Sequence, residues 1–444
     1  MHMSTNQLSA AEREELHAEA VSICQTLIRI PSVNFGDGKG DESAVAAKVV
    51  ELLGEVGIDS KIYQSAPGRC NVIAHIKGSN QDRPGLVVHG HLDVVPASAE
   101  DWSVDPFSAE IKEGMIWGRG AVDMKNMDAM IIAIFRMWAR KGIKPPRNIV
   151  LAFFADEEAG SLFGSRWMVA QHPEIFKGCT EAVSEVGGFS VTVSSGKRLY
   201  FIEAAQKGIH WMKLSASGRA GHGSMMNPEN AITRISEAVS KLGNFEWPQR
   251  YTKTVKQLFK KIAEATGKTY DEKDLRPLLA EIGPMARMIG ATLQNTANPT
   301  MLEAGYKANV IPQSANAVID GRFLPGLEHE LNQTIRDIVG PQISIETITH
   351  DIALEVDFEG DLVEAMNRSI LVFDPEAIPV PYLMSGGTDN KALSELGIVG
   401  YGFSPLKLPP DLDFMALFHG VDERVPVDGI KFGVDVLENF LSNS

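Results

Sequence analysis

Apolar positions recur at helical spacing from Ser9 to Arg29, stopping before Pro31, and again from Glu42 to Val56, closed by Gly57. Beyond them come short strand-like runs at Lys61–Gln64, Asn71–Ile76 and Gly85–His89. An apolar helix over Asn126–Trp138 and a buried strand over Asn148–Phe154 follow. Strands alternating with helices predict an α/β sheet covered on both faces. From Gly208 to about Ile352 the order changes to strand (Ile209–Ser215), helix (from Asn230), two strands (Met301–Val310, Ala315–Phe323), helix (Glu328–Ile338) and strand (Ile343–Ile348). That βαββαβ order is ferredoxin-like. A charged helical stretch, about Trp247 to Ala297, reads as an insertion into it, and the α/β pattern resumes at Phe358. The expected layout is an α/β domain with a central mixed sheet flanked by helices, made of residues 1–207 and 353–444. A smaller α+β domain, residues 208–352, interrupts it.

The 444 residues are 44% hydrophobic, enough for two cores. A net charge of −15 repels nucleic acid and anionic membranes, so neither is an expected partner. Cys24, Cys70 and Cys179 are odd in number and far apart, which reads as free thiols in a reducing compartment. With no signal peptide and no apolar stretch of membrane-spanning length, a cytoplasmic location is expected.

Candidate chemistry lies where apolar runs end. In "LAFFADEEAG", Leu151–Phe154 leads straight into Asp156, Glu157 and Glu158. Adjacent carboxylates repel, so the stretch is either a solvated acidic turn or a place facing strong positive charge. "VVHGHLDVVP" ends a strand in His89, His91 and Asp93 at spacing two, on one face. "WGRGAVDMK" sets Asp123 in a glycine turn, where it could instead cap the next helix. Glu185 in "SEVGG" and His419 in "FHGVDERVP" complete a set of His, Asp and Glu at strand ends or adjoining loops, where α/β active sites collect. Such donors suit zinc, with one carboxylate free to bridge two ions.

"HGHLDVVP", "GRGAVDMK", "DEEAG", "SEVGG" and "HGVDERV", in this order, resemble the di-zinc exopeptidases and deacylases, among them aminoacylase-1, carboxypeptidase G, carboxypeptidase S and succinyl-diaminopimelate desuccinylase. The likeness spans nearly the whole chain. Asn126 departs from it, standing where members usually have glycine. The resemblance implies a zinc-exopeptidase-like catalytic domain and two Zn2+ per subunit, with Co2+ or Mn2+ as substitutes. One ion would be held by His91, Asp123 and Glu185, the other by Asp123, Glu158 and His419, with Asp123 bridging and Asp93 orienting His91. Glu157 would be the general base that takes a proton from water and returns it to the leaving amine. Because adjacent residues of extended backbone point apart, Glu157 is expected to face away from Glu158.

The resemblance extends to the smaller domain, the lid. His222, in "GRAGHGSMMNPENAI", would reach the partner subunit's active site in a homodimer formed through the lid. Asn309 and Arg322 would contact the substrate's carboxylate end; Arg322 could equally pair with Asp320 or Glu328. Gly386, Gly387 and Thr388 in "MSGGTDN" would offer backbone amides and a hydroxyl to an anion, or form an ordinary capped turn. The expected function is a metallohydrolase cleaving an amide of an N-acyl-amino acid or short peptide with a free carboxylate. The alternatives are a dipeptidase or desuccinylase-type deacylase, or a non-catalytic metal-binding module.

Overall fold

A computed structural model describes residues 8–444 except residue 37. The first helix, Ala10–Ile28, opens with a capping box in which Ser9 and Glu12 satisfy each other's backbone N–H groups. Its buried Leu16, Ala20, Ile23, Cys24 and Leu27 face the core. The helix Lys125–Lys141 is buried from Lys125 to Phe135, as a helix enclosed on most sides must be, and ends at the left-handed Gly142.

Among the described residues ten strands form the central sheet. Its middle is parallel: Ile149–Phe154, Gly85–His91, Cys179–Ser184 and Val399–Gly402 lie side by side. The first two are wholly buried, as a sheet covered on both faces requires, while Cys179–Ser184 and Val399–Gly402 are buried only in their carboxyl halves. Arg198–Gln206 borders Val399–Gly402 antiparallel and Ala377–Met384 in parallel. The carboxyl ends of Gly85–His91, Ile149–Phe154 and Cys179–Ser184 therefore face one way, and that end carries the acidic and histidine motifs.

The second sheet runs in the order Thr296–Ala304, Ser314–Phe323, Gly208–Ser217, Ile343–Asp351, all antiparallel. Helices Ala231–Gly243 and Glu328–Val339 contribute Ile235, Leu242, Leu331 and Ile335 to its own core. The edge strand was expected at Met301–Val310 and lies at Thr296–Ala304, with a register shift between Pro299 and Met301, while Val310–Ile311 pairs with Gly221–His222 instead. Helices Lys253–Thr266 and Met285–Ala291, within the sequence of the lid, bury Val255, Leu258, Phe259, Ile262 and Ile289 in the large core of the catalytic domain instead. Among the described residues no helix is long and apolar enough to cross a membrane.

Candidate metal centre and active site

His91 is the last residue of its strand. Its Nδ1 lies 3.0 Å from the Asp93 backbone oxygen and 3.5 Å from Asp93 Oδ1. That leaves Nε2 facing the site, 3.0 Å from Asp123 Oδ1 and 3.5 Å from Glu185 Oε2. On the other side, His419 Nε2 lies 3.2 Å from Asp123 Oδ2 and 3.0 Å from Glu158 Oε2. The two oxygens of Asp123 thus serve two different imidazoles, each completed by one glutamate. His419 itself sits at φ 56°, a left-handed conformation a histidine adopts only where its surroundings impose it.

Asp93 does more than orient an imidazole. Its carboxylate accepts the N–H groups of Glu157 and Glu158, each at 3.1 Å, and Asn34 Nδ2 at 2.9 Å. Those bonds hold a short 3-10 turn, Glu157–Ala159, where extended backbone was expected. Both glutamates reach the cluster rather than pointing apart: Glu157 offers an oxygen within 4.8 Å of the His91 and Glu185 donors, and Glu158 one within 4.8 Å of the His91 and Asp123 donors, its Oε2 lying 3.0 Å from His419. Asp156 supports the turn by accepting Asn34 Nδ2 at 3.0 Å and Phe163 N at 3.0 Å. His89 is not part of the cluster; its Nε2 meets Asn390 Oδ1 at 2.9 Å.

Four carboxylates crowd two imidazoles here, and the electrostatics show it. Burial, then the Glu185 charge, raises Glu157 well above the usual carboxylate range. Burial and the Asp123 charge push Glu158 up to about 7, and burial pushes Glu185 up to about 8 against the pull of His91. Burial also opposes ionisation of Asp123, but His419 and His91 hold it below the ordinary value. Bonds to Asp123 and Glu158 raise His419 to about 10. Glu158 Oε1 is buried without a hydrogen-bond partner. An orphaned carboxylate oxygen amid surplus negative charge, with oxygen and imidazole donors converging, fits divalent cations.

The sequence sets Glu423 in the same late loop as His419 but assigns it no role. Strand Arg424–Pro426 pairs with Met115–Trp117, which places the Glu423 carboxylate under the Asp123 turn. There it accepts Arg119 Nη1 at 2.7 Å and the N–H groups of Gly120, Val122 and Asp123 at 3.1, 2.7 and 3.2 Å. No local sequence signal marks these partners, which lie some 300 positions away. Asn126 stands buried in the first turn of its helix.

The lid residues lie elsewhere. His222 is exposed, with Nδ1 2.8 Å from Ser224 Oγ, in a short pairing with Val310 beside Asn309. None of its bonds reaches the histidine–carboxylate cluster of its own chain. Arg322 donates to Asp320 at 2.6 and 3.1 Å, the pairing left open above. Near it, Arg166, Lys207 and Lys391 gather where the two domains connect, with Asp351 2.7 Å from Arg166 and 3.3 Å from Lys391. Thr388 is buried beside this basic region, its Oγ1 accepting Gln206 Nε2 at 2.7 Å.

The sequence profile of peptidase family M20/M25/M40 matches residues 87–443. The chain belongs to that family. It is therefore a metal-dependent hydrolase of amide bonds. The M20 chain is 27% identical over 450 residues to the N-fatty-acyl-amino acid synthase/hydrolase PM20D1 of Mus musculus, covering 96% of this chain and 88% of that protein. It is 26% identical over 436 residues to aminoacylase-1 of Homo sapiens, covering 96% and 95%. Its fold superposes on the M20 family metallo-carboxypeptidase Sso-CP2 from Sulfolobus solfataricus with a TM-score of 0.74 at 19% identity, over 96% of this chain and 99% of that one.

Proposed function

We propose that the protein is a homodimeric, cytoplasmic di-zinc amidohydrolase that releases an amino acid or short peptide from an N-acyl-amino acid or small peptide bearing a free carboxylate. The observation that carries this reading is the division of Asp123 between two imidazoles, each with its own glutamate. His91, Asp123 and Glu185 would hold one ion, and Asp123, Glu158 and His419 the second. When bound, the ions supply Lewis-acid polarisation of the scissile carbonyl and of water. The donor set suits Zn2+, with Co2+ or Mn2+ as substitutes.

Glu157 accepts the proton of the attacking water and passes it to the leaving amine. Its carboxylate oxygen lies within 4.8 Å of the His91 and Glu185 donor atoms, within reach of a water held at that site. Asp93 fixes both the His91 ring and the backbone of Glu157, so one buried carboxylate sets ligand and base together. Arg322, Asn309 and the Gly386–Gly387–Thr388 turn receive the substrate's carboxylate, which the nearby cations favour.

Met225 (69%) and Met226 (98%) stand exposed just after His222, and Met301, Leu302 and Tyr306 stand exposed on and just after Thr296–Ala304, an open sheet edge among the described residues. Apolar side chains on an unpaired edge support pairing with a second copy, which would bring His222 to the partner's site. The unpaired cysteines agree with a reducing compartment. Elemental analysis of purified protein together with a hydrolysis screen over N-acyl-amino acids and dipeptides tests the reading. Two zinc ions per chain and turnover of one class are expected. A single ion, or no hydrolysis of either class with metal present, overturns it.

A further inference from the structure

Four consecutive side chains after the Gly386–Gly387 turn each reach a different segment. Thr388 bonds Gln206, the last residue of Arg198–Gln206, through both its hydroxyl and its N–H, at 2.7 and 2.9 Å. Asp389 Oδ1 accepts Ser161 Oγ at 2.7 Å and Ser165 Oγ at 2.5 Å. Asn390 meets His89, two residues before His91, at 2.9 Å. Lys391 Nζ donates to Lys207 O at 2.9 Å and pairs with Asp351 at 3.3 Å, holding both strands that join the lid to the catalytic domain. All four residues are buried.

Asp389 is the member of this run that reaches the turn bearing Glu157. Along residues 156–161 the backbone is left-handed at Asp156 (φ 63°), Gly160 (φ 96°) and Ser161 (φ 62°). For aspartate and serine such backbone persists only where neighbours enforce it. Two carboxylates do so from opposite ends. Asp93 takes the N–H groups of Glu157 and Glu158, and Asp389 takes the hydroxyls of Ser161 and Ser165. Ser161 N–H closes the turn on Asp156 O at 2.7 Å. One peptide bond separates Asp389 from the end of the Gly386–Thr388 turn, so an anion on the Gly386 and Gly387 amides lies two to three residues from the anchor of the turn that carries the base.

We propose that Asp389 is a positioning residue that transmits occupation of the Gly386–Thr388 turn by the substrate's carboxylate to the placement of Glu157. The carboxylate then speeds the chemical step as well as tightening binding. This rests on the turn being the carboxylate subsite.

The test measures kcat, KM and metal content for wild type, Asp389→Ala and Asp389→Asn, using the best N-acyl-amino acid of the screen and its carboxamide. In the wild type the acid should exceed the amide in kcat as well as in kcat/KM. Asp389→Ala should lower kcat for the acid about 10- to 100-fold, the range expected when a reacting group is displaced by about an ångström, with metal content unchanged. The amide, which does not load the turn, should lose less than about threefold in kcat. Asp389→Asn, whose carbonyl oxygen can still accept both hydroxyls, should recover most of the loss. Ser161→Ala combined with Ser165→Ala should reproduce the Asp389→Ala pattern, and the triple variant should be no worse. Equal losses for acid and amide, or loss of metal, would make Asp389 a scaffold residue and overturn the inference. An acid preference confined to KM in the wild type would overturn the coupling while leaving the carboxylate subsite intact. No preference for the acid at all would remove the subsite itself, and the inference with it.

Discussion

Glu423→Gln should weaken metal binding without touching a metal donor. Glu423 is fully buried, four residues beyond His419, and its two oxygens divide their work. Oε2 takes Arg119 Nη1 at 2.7 Å and Gly120 N at 3.1 Å, while Oε1 takes Val122 N at 2.7 Å and Asp123 N at 3.2 Å. An amide keeps one acceptor oxygen, so its NH2 group must confront one of these donor pairs. Turned to serve Val122 and Asp123, it leaves Arg119 buried with Pro96 O at 3.4 Å and the Trp102 ring at 5.1 Å. Removing one partner of a buried ion pair costs about 3–5 kcal/mol. Turned the other way, it loosens the backbone of Asp123 itself. Either choice displaces the carboxylate that both imidazoles face, and loss of such outer support typically costs about 10- to 100-fold in metal affinity. Competition against a chromophoric chelator reads that affinity, and thermal unfolding of loaded and stripped protein reads stability. The variant should be less stable when stripped and should gain less from added zinc than the wild type does at the same concentration. A folded Glu423→Gln protein with wild-type affinity would refute the reasoning, and a fall in stability alone would confine Glu423 to the fold.

Glu157→Ala should keep its metal and lose on the order of 10²- to 10⁴-fold in turnover; retained activity or lost metal would count against the base assignment. Asp123→Ala should release both ions together while His91→Ala releases mainly one, as elemental analysis will show, and full occupancy in Asp123→Ala would end the bridging assignment. Arg322→Ala should weaken acids by roughly 2–5 kcal/mol and carboxamides far less, measured as kcat/KM for each; equal losses would leave Arg322 as the partner of Asp320 alone. If His222 serves the partner subunit, mixing inactive His222→Ala and Glu157→Ala homodimers should restore at most about half the activity per heterodimer. No recovery after proven subunit exchange would confine His222 to its own chain.

Much of the fold and site was legible because it is local. Apolar runs marked the parallel strands Gly85–His91 and Ile149–Phe154, helical spacing marked the buried helix Lys125–Lys141, and the βαββαβ order of the lid was readable from element succession alone; the parallel strands Cys179–Ser184 and Val399–Gly402 were not marked. His91, Asp123, Glu158, Glu185 and His419 stood out because each ends or follows an apolar run, where a polar donor is conspicuous. Local pattern could not tell which surface an amphipathic helix covers. Val255, Leu258 and Ile262 define an apolar stripe on sequence grounds, yet only packing assigns that stripe to the catalytic core rather than the lid. The edge strand was misjudged at its start because Asn298 and Pro299 look like turn residues, and an irregular register on the sheet edge absorbs them. The turn carrying Glu157 was expected to be extended; the hydrogen bonds that Asp93 and Asp389 accept, 64 and 228 positions from the groups they hold, make it a 3-10 turn flanked by left-handed Asp156, Gly160 and Ser161 instead. The sequence alone determined which histidines and carboxylates stand at the ends of the apolar runs, because spacing is a property of the chain. Tertiary structure decided which buried carboxylates hold those residues in place, because hydrogen-bond partners hundreds of positions apart meet only when the sheet brings their loops to one end.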